Sequence, residues 1–159
     1  MNRRQAREAA FVIIFQRSFT QDDLDTILEN AGPEIALDEN DFTYQLAKAT
    51  FDHLEEIDQV IERYSHNWKI SRISKAALAA LRLAVCEMRY RPEIPYSVSI
   101  NEAVDLAKTY GGEDDFSFVN GLLGAYAKDC PEKQAEWAAM AYYLGIDTSN
   151  YTTSLAVLD

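Results

Sequence analysis

At 159 residues, 48% of them hydrophobic, the chain can bury one domain-sized core without metal or disulfide support. Its two cysteines, Cys86 and Cys130, stand apart at no metal-like spacing, which excludes a disulfide scaffold and leaves two reduced, buried small hydrophobes. The formal net charge of -11 argues against a nucleic-acid partner as a sum, but residues 1–17 carry Arg3, Arg4, Arg7 and Arg17 against Glu8 alone.

The opening Met1-Asn-Arg-Arg leads into no long apolar run, so neither a secretory leader nor a membrane span is expected and the expected compartment is the cytoplasm. Residues 3–18 read as a first helix, with arginines in its opening turns and then the apolar run Ala9 to Phe15. Such a helix is expected to be surrounded by protein while its tip stays wet. A shorter helix runs from about Asp22 to Asn30 and stops at Gly32-Pro33. Asp38 is a good N-cap for a third, with Leu37 and Phe42 at hydrophobic-staple positions. From Phe42 through Leu46, Ala49, Leu54, Ile57 and Ile61 to Tyr64 apolar residues recur mostly at steps of three and four, which predicts one long amphipathic helix.

Trp68 and Ile73 fall in the connection that follows. Ser74 caps the next helix, whose expected core stripe is Ala77, Leu78, Leu81, Val85 and Met88, and Pro92 and Pro95 end it. Ser99 and Glu102 have capping-box spacing and predict a helix start there, closed by Gly111-Gly112. Asp114 or Asp115 caps a last helix to about Asp129. Within it Gly121 and Gly124 each cost about 1 kcal/mol relative to alanine, which close approach of another helix would explain. The expectation is an all-α domain of six to seven helices over residues 2–133, followed by an appendage over 134–159.

Several segments together resemble the NusB family of bacterial transcription antitermination factors: Arg3-Arg-Gln-Ala-Arg-Glu-Ala9, the helix from Ile73 to Glu87, Asn101-Glu-Ala, and Phe118-Val-Asn-Gly. The resemblance covers residues 2–130 and implies two small helical subdomains. It implies binding of boxA-type leader RNA of ribosomal RNA operons together with NusE, a small-subunit ribosomal protein, in an RNA polymerase antitermination complex. Carried onto this chain, the RNA candidates are Arg3, Arg4, Arg7, Phe15 and Phe118. The partner-facing candidates are Tyr96, Asn101 and Glu102, and the acidic body suits a basic partner. Gln5 interrupts the arginines and Val12 stands where a polar side chain could have reached RNA, so the basic patch is thin.

Helical spacing gathers Arg3, Arg4 and Arg7 on one arc. Cations at a helix N-terminus oppose the macrodipole, so folding gains nothing evident from them, whereas phosphate would reverse the sign. The bland alternative pairs them with acids of the body. For Phe118 the alternative to stacking on a base is a core contact toward Leu122.

No enzyme, metal or cofactor is expected. His53 and His66, the only histidines, have no nucleophile beside them, and Glu55-Glu56 and Glu113-Asp114-Asp115 read as solvated or capping acids. Neither a phosphate-binding loop nor a dinucleotide fingerprint occurs. Other readings are an accessory RNA-binding domain of an RNA cytosine methyltransferase and a homodimeric interaction module. The tail from Tyr142 to Leu158 resembles the first hairpin of actin, sugar kinase and heat-shock chaperone ATPases, with Asp147, Thr148, Ser149, Thr152 and Thr153 at the matching positions. The rest of such an ATPase is absent, so the tail is expected to be a loosely held appendage without a nucleotide site.

Overall fold

A computed structural model describes residues 2–30, 41–66 and 68–130. The Asp38 cap, the Gly32-Pro33 stop and the appendage over 134–159 lie outside them. Among the described residues the structure is all-helical, as expected: α1 (Arg3–Arg17), α2 (Leu24–Asn30), α3 (Phe42–Asp52), α4 (Leu54–Tyr64), α5 (Lys75–Tyr90), α6 (Tyr96–Tyr110) and α7 (Glu113–Lys128), with a 3-10 turn at Ile70–Arg72 before α5.

The helix surrounded by protein is α5, not α1. Every residue from Ala76 to Met88 is buried, because α1, α3, α4, α6 and α7 all pack on α5. Its alanines let those neighbours come close. In α1 the side chains of Ala10, Phe11, Ile13 and Ile14 are buried, but Val12 is exposed, since α1 lies outside α5 and is covered on one side only. A smaller core of Ile13, Leu24, Ile27 and Ala47 joins α1, α2 and α3.

The expected long helix over 42–64 is two. His53 leaves helical geometry (φ -116°, ψ 23°), its ring nitrogen Nδ1 lies 2.9 Å from the Ala49 carbonyl oxygen, and its ring stacks on Tyr90 at 4.1 Å. The Ala49 carbonyl still accepts from the His53 amide at 3.1 Å, so imidazole and amide share one acceptor, and His53 serves as the C-cap of α3 and the N-cap of α4. The apolar period survives on both sides of His53, which is why periodicity alone reads straight through it.

The start of α6 is also earlier than expected. Pro95, at φ -63° and ψ 146°, is the N-cap, and the Ser99–Glu102 capping box does not form. Ser99 sits inside the helix, buried, and its hydroxyl donates to Glu87 Oε1 at 3.3 Å. At the other end Gly111 is required for space rather than for a left-handed backbone: a Cβ there would stand 2.7 Å from the Ala107 carbonyl oxygen. The Gly112 amide donates to Asp115 Oδ2 at 2.8 Å and opens α7. A Cβ on Gly121 or Gly124 would meet nothing within 4 Å, so no close helix approach accounts for either.

Candidate nucleic-acid interface

The capping box that the sequence reading missed opens α1. The Gln5 amide donates to Asn2 Oδ1 at 2.8 Å and the Asn2 amide donates to Gln5 Oε1 at 3.0 Å. Gln5 therefore holds the helix end instead of merely interrupting the arginines, and two of the orphan amide donors there are satisfied.

The three arginines take three different environments. Arg3 is exposed, with its guanidinium 4.0 Å from the centroid of the Phe42 ring. Arg91 approaches the same ring at 5.1 Å and donates to Gln45 Oε1 at 2.7 Å. Arg4 reaches across to α6, 2.9 Å from Asp105 Oδ2 and 3.8 Å from Glu102 Oε2, while its side chain stays 66% exposed. Arg7 points inward: its Nε donates to Glu87 Oε2 at 2.8 Å, and the two side chains are 5% and 1% exposed. The expectation that folding gains nothing from these cations is therefore corrected for Arg7. Its guanidinium ties α1 to α5, and Ser99 extends the same buried network to α6.

Phe15 is half-buried in a run of rings along one side of α1, stacked on Phe11 at 5.9 Å and meeting Phe19 edge-on at 5.1 Å. Phe11 in turn contacts Tyr110 at 4.9 Å, and the Tyr110 hydroxyl donates to Glu8, which raises the Tyr110 pKa. Phe118 is half-buried: it packs against the main core and lies 6.3 Å from Trp68, so a core contact and an accessible ring coexist. The α1–α6 seam thus brings Arg4 and Glu102 together, whereas the ring beside Phe118 on α7 is Trp68.

Of the partner-facing candidates, Tyr96 is a core side chain at 8% exposure, Asn101 is exposed, and Glu102 is occupied by Arg4. A long apolar side chain at the first position of a helix that starts at Pro95 faces inward; an N-terminus at Ser99 had left Tyr96 in a loop. The sequence reading placed Trp68 in its connection but not on the surface, and passed over Phe19; both are exposed, and exposure of a lone aromatic leaves no trace in periodicity. Among the described residues no group of three or more His, Cys, Asp or Glu could hold a metal ion, and no helix is long and apolar enough to cross a membrane.

A helical body built on one buried helix, with an arginine-bearing helix end against its flank, makes this a small all-α protein. The chain matches the NusB family over residues 4–128 and belongs to it. It is 48% identical over 130 residues to the transcription antitermination protein NusB of Acetivibrio thermocellus, covering 80% of this chain and 90% of that one. It is 41% identical over 126 residues to the NusB of Desulforamulus reducens, covering 78% and 88%. Among solved structures it is similar to T. maritima NusB, with a TM-score of 0.72 and 35% identity over 80% of this chain and 92% of that one. It is also similar to a chain in a crystal structure of the antitermination factors NusB and NusE in complex with double-stranded RNA, with a TM-score of 0.65 and 27% identity over 77% and 93%.

Proposed function

We propose that this chain is a transcription antitermination factor that binds boxA-type leader RNA together with NusE and acts, by binding alone, on transcribing RNA polymerase in the cytoplasm. What carries the reading is its membership of the NusB family over residues 4–128, joined to a likeness to the NusB of a NusB–NusE–RNA complex. The geometry supports it in a modified form. Arg3 and Arg4 are the outward cations of α1, while Arg7 is the inner anchor that fixes their helix against Glu87. Arg4 can exchange Asp105 for a phosphate at small cost, because an exposed ion pair contributes only about 0 to 1 kcal/mol.

Phe15 and Phe118 supply ring faces and edges for bases. Asn101 and Glu102 offer polar groups to NusE, with Tyr96 supporting the start of their helix from below. The relatives are matched over 88% to 90% of their own length, which favours the antitermination reading over an accessory domain of a methyltransferase.

The test is an anisotropy titration with a labelled boxA-type oligonucleotide and a scrambled control, with and without NusE. Preference for boxA that grows when NusE is added is the expected result. Equal weak binding in all four arms refutes the reading.

A further inference from the structure

Between Glu62 and Glu87 the sequence holds no acidic residue at all, in a chain with 26 of them. The same stretch holds Arg63, Lys69, Arg72, Lys75 and Arg82. Arg82 is taken up by Asp58 through two hydrogen bonds at 2.8 and 2.9 Å. Lys69, Arg72 and Lys75 are exposed, and among the described residues none of the three makes an ion pair. On α1, Arg4 and Arg7 meet carboxylates, whereas Arg3 rests on the Phe42 ring and Arg17 donates to the Thr20 carbonyl and Gln21. The connection into α5 therefore gathers three exposed cations that make no ion pair among the described residues, in a stretch with no acidic residue to offset them.

Large aromatic rings flank these cations at both ends. Trp68 is 55% exposed and lies 6.3 Å from Phe118 on α7. Phe19, just past the end of α1, is 63% exposed, and Lys75 Nζ stands 4.8 Å from the centre of its ring and donates to the Ser18 carbonyl at 3.3 Å. Two ring contacts, Trp68–Phe118 and Phe19–Lys75, thus bracket the exposed Lys69 and Arg72 along the chain.

The backbone of this connection is held in place. Ser65 is buried, its hydroxyl lies 2.6 Å from the Trp68 carbonyl oxygen, and the Trp68 amide donates to the Ser65 carbonyl at 3.2 Å. His66 takes a left-handed φ of 54°, an uncommon conformation for a residue with a side chain. Ile70 and Ile73 anchor the far side in the core. An indole kept in water on a tethered turn forgoes the gain from burial.

We propose that this connection is a second RNA-contacting site: the Trp68–Phe118 pair takes an unstacked base of single-stranded RNA, and Lys69, Arg72 and Lys75 neutralise the phosphates that follow it. The inference rests on the RNA-binding reading above and adds to it a site outside the arginine helix. Rings interleaved with cations are the combination that holds single strands, with stacking contributing affinity and the cations tracking the backbone. An acidic protein would complement the charge equally well, but lysine is depleted at protein interfaces, and the exposed lysines here stand beside exposed aromatic rings, Lys69 next to Trp68 in sequence and Lys75 against Phe19.

Tryptophan emission reads the site directly. The chain has two tryptophans, so a Trp137→Phe variant makes Trp68 the sole reporter. On titration with a single-stranded boxA-type oligonucleotide, Trp68 emission is expected to change saturably with the midpoint that anisotropy of the labelled RNA gives. The Lys69→Gln/Arg72→Gln double variant is expected to lower the magnitude of the log affinity against log salt slope by about 1.4, at about 0.7 per phosphate contact. Lys48→Gln, which removes a cation already paired with Asp52, leaves the slope unchanged.

If RNA binds by anisotropy while Trp68 stays silent and the double variant keeps its slope, the inference is overturned and the RNA-binding reading stands. Absence of any RNA binding by anisotropy overturns both. A Trp68 response to NusE alone and none to RNA overturns the inference in favour of a protein contact, and an equal response to a duplex of the same sequence overturns the stacked base.

Discussion

Replacing Glu87 by alanine tests whether the arginine helix is held by the body or merely displayed on it. In the folded protein the Arg7 guanidinium is 2.8 Å from the Glu87 carboxylate, and both side chains are almost wholly inaccessible. Removing one partner leaves a buried cation without its counter-charge, which costs about 3 to 5 kcal/mol. In a chain of this size each kcal/mol lowers Tm by about 2 to 4 °C, so Glu87→Ala should unfold about 6 to 20 °C below the parent. Arg4→Ala, whose pair is solvent-facing, should cost less than about 1 kcal/mol. Thermal and urea unfolding followed by far-UV circular dichroism measure both. The double replacement Arg7→Met/Glu87→Leu should recover most of the loss, because an apolar pair of similar volume removes both desolvation penalties. A Glu87→Ala protein as stable as Arg4→Ala would refute the assignment of Arg7 to the interior.

Four further outcomes are expected. Burial pushes the Cys86 thiol up to about 11, so its neutral form stabilises the folded state below the ordinary thiol pKa of 9.0. That stability is lost as pH rises from about 9 through 11, which the urea midpoint at pH 8 and pH 10 will show, and Cys130 should alkylate well before Cys86 at pH 8. Ser74→Ala removes the acceptor for the Ala77 amide at 3.2 Å and should cost about 1 kcal/mol in urea unfolding. Gly121→Ala and Gly124→Ala, whose new methyl groups enter open space, should each raise stability by about 0.5 to 1 kcal/mol. Arg3→Ala/Arg4→Ala should reduce the salt slope for RNA by at most about 1.4, at about 0.7 per contact, with little change in Tm; no change in slope would take α1 out of the RNA surface.

Helix identity was largely legible from periodicity, because each amphipathic segment buries one face and its apolar residues must recur every three or four positions. What periodicity could not carry was competition for single backbone groups. His53 ends α3 with its ring and its amide on the same carbonyl, and Pro95 starts α6 a full turn before the Ser99–Glu102 pair that resembles a capping box. Ser99 illustrates the reason: a small polar residue followed by an acid three positions later serves equally to cap a helix or to reach a buried carboxylate, and Glu87 lies twelve residues upstream. The candidate site was legible as a set of residue types and not as a surface. Arg3, Arg4 and Arg7 share an arc, yet one turns onto a ring, one onto a neighbouring helix and one into the interior. Only the partners contributed by α3, α5 and α6 decide among those fates, and those partners are far off in sequence.

The burial of α5 on every side governs how the domain comes apart. The helices before it and the helices after it share it as their common wall, so neither group can melt while the other keeps its interior dry. Heat should therefore produce a single calorimetric peak whose van't Hoff and measured enthalpies agree. It also sets an order during synthesis: the first four helices leave the ribosome with part of their apolar surface still wet, α5 gives them their wall, and the core is complete only once α7, to about Lys128, has emerged.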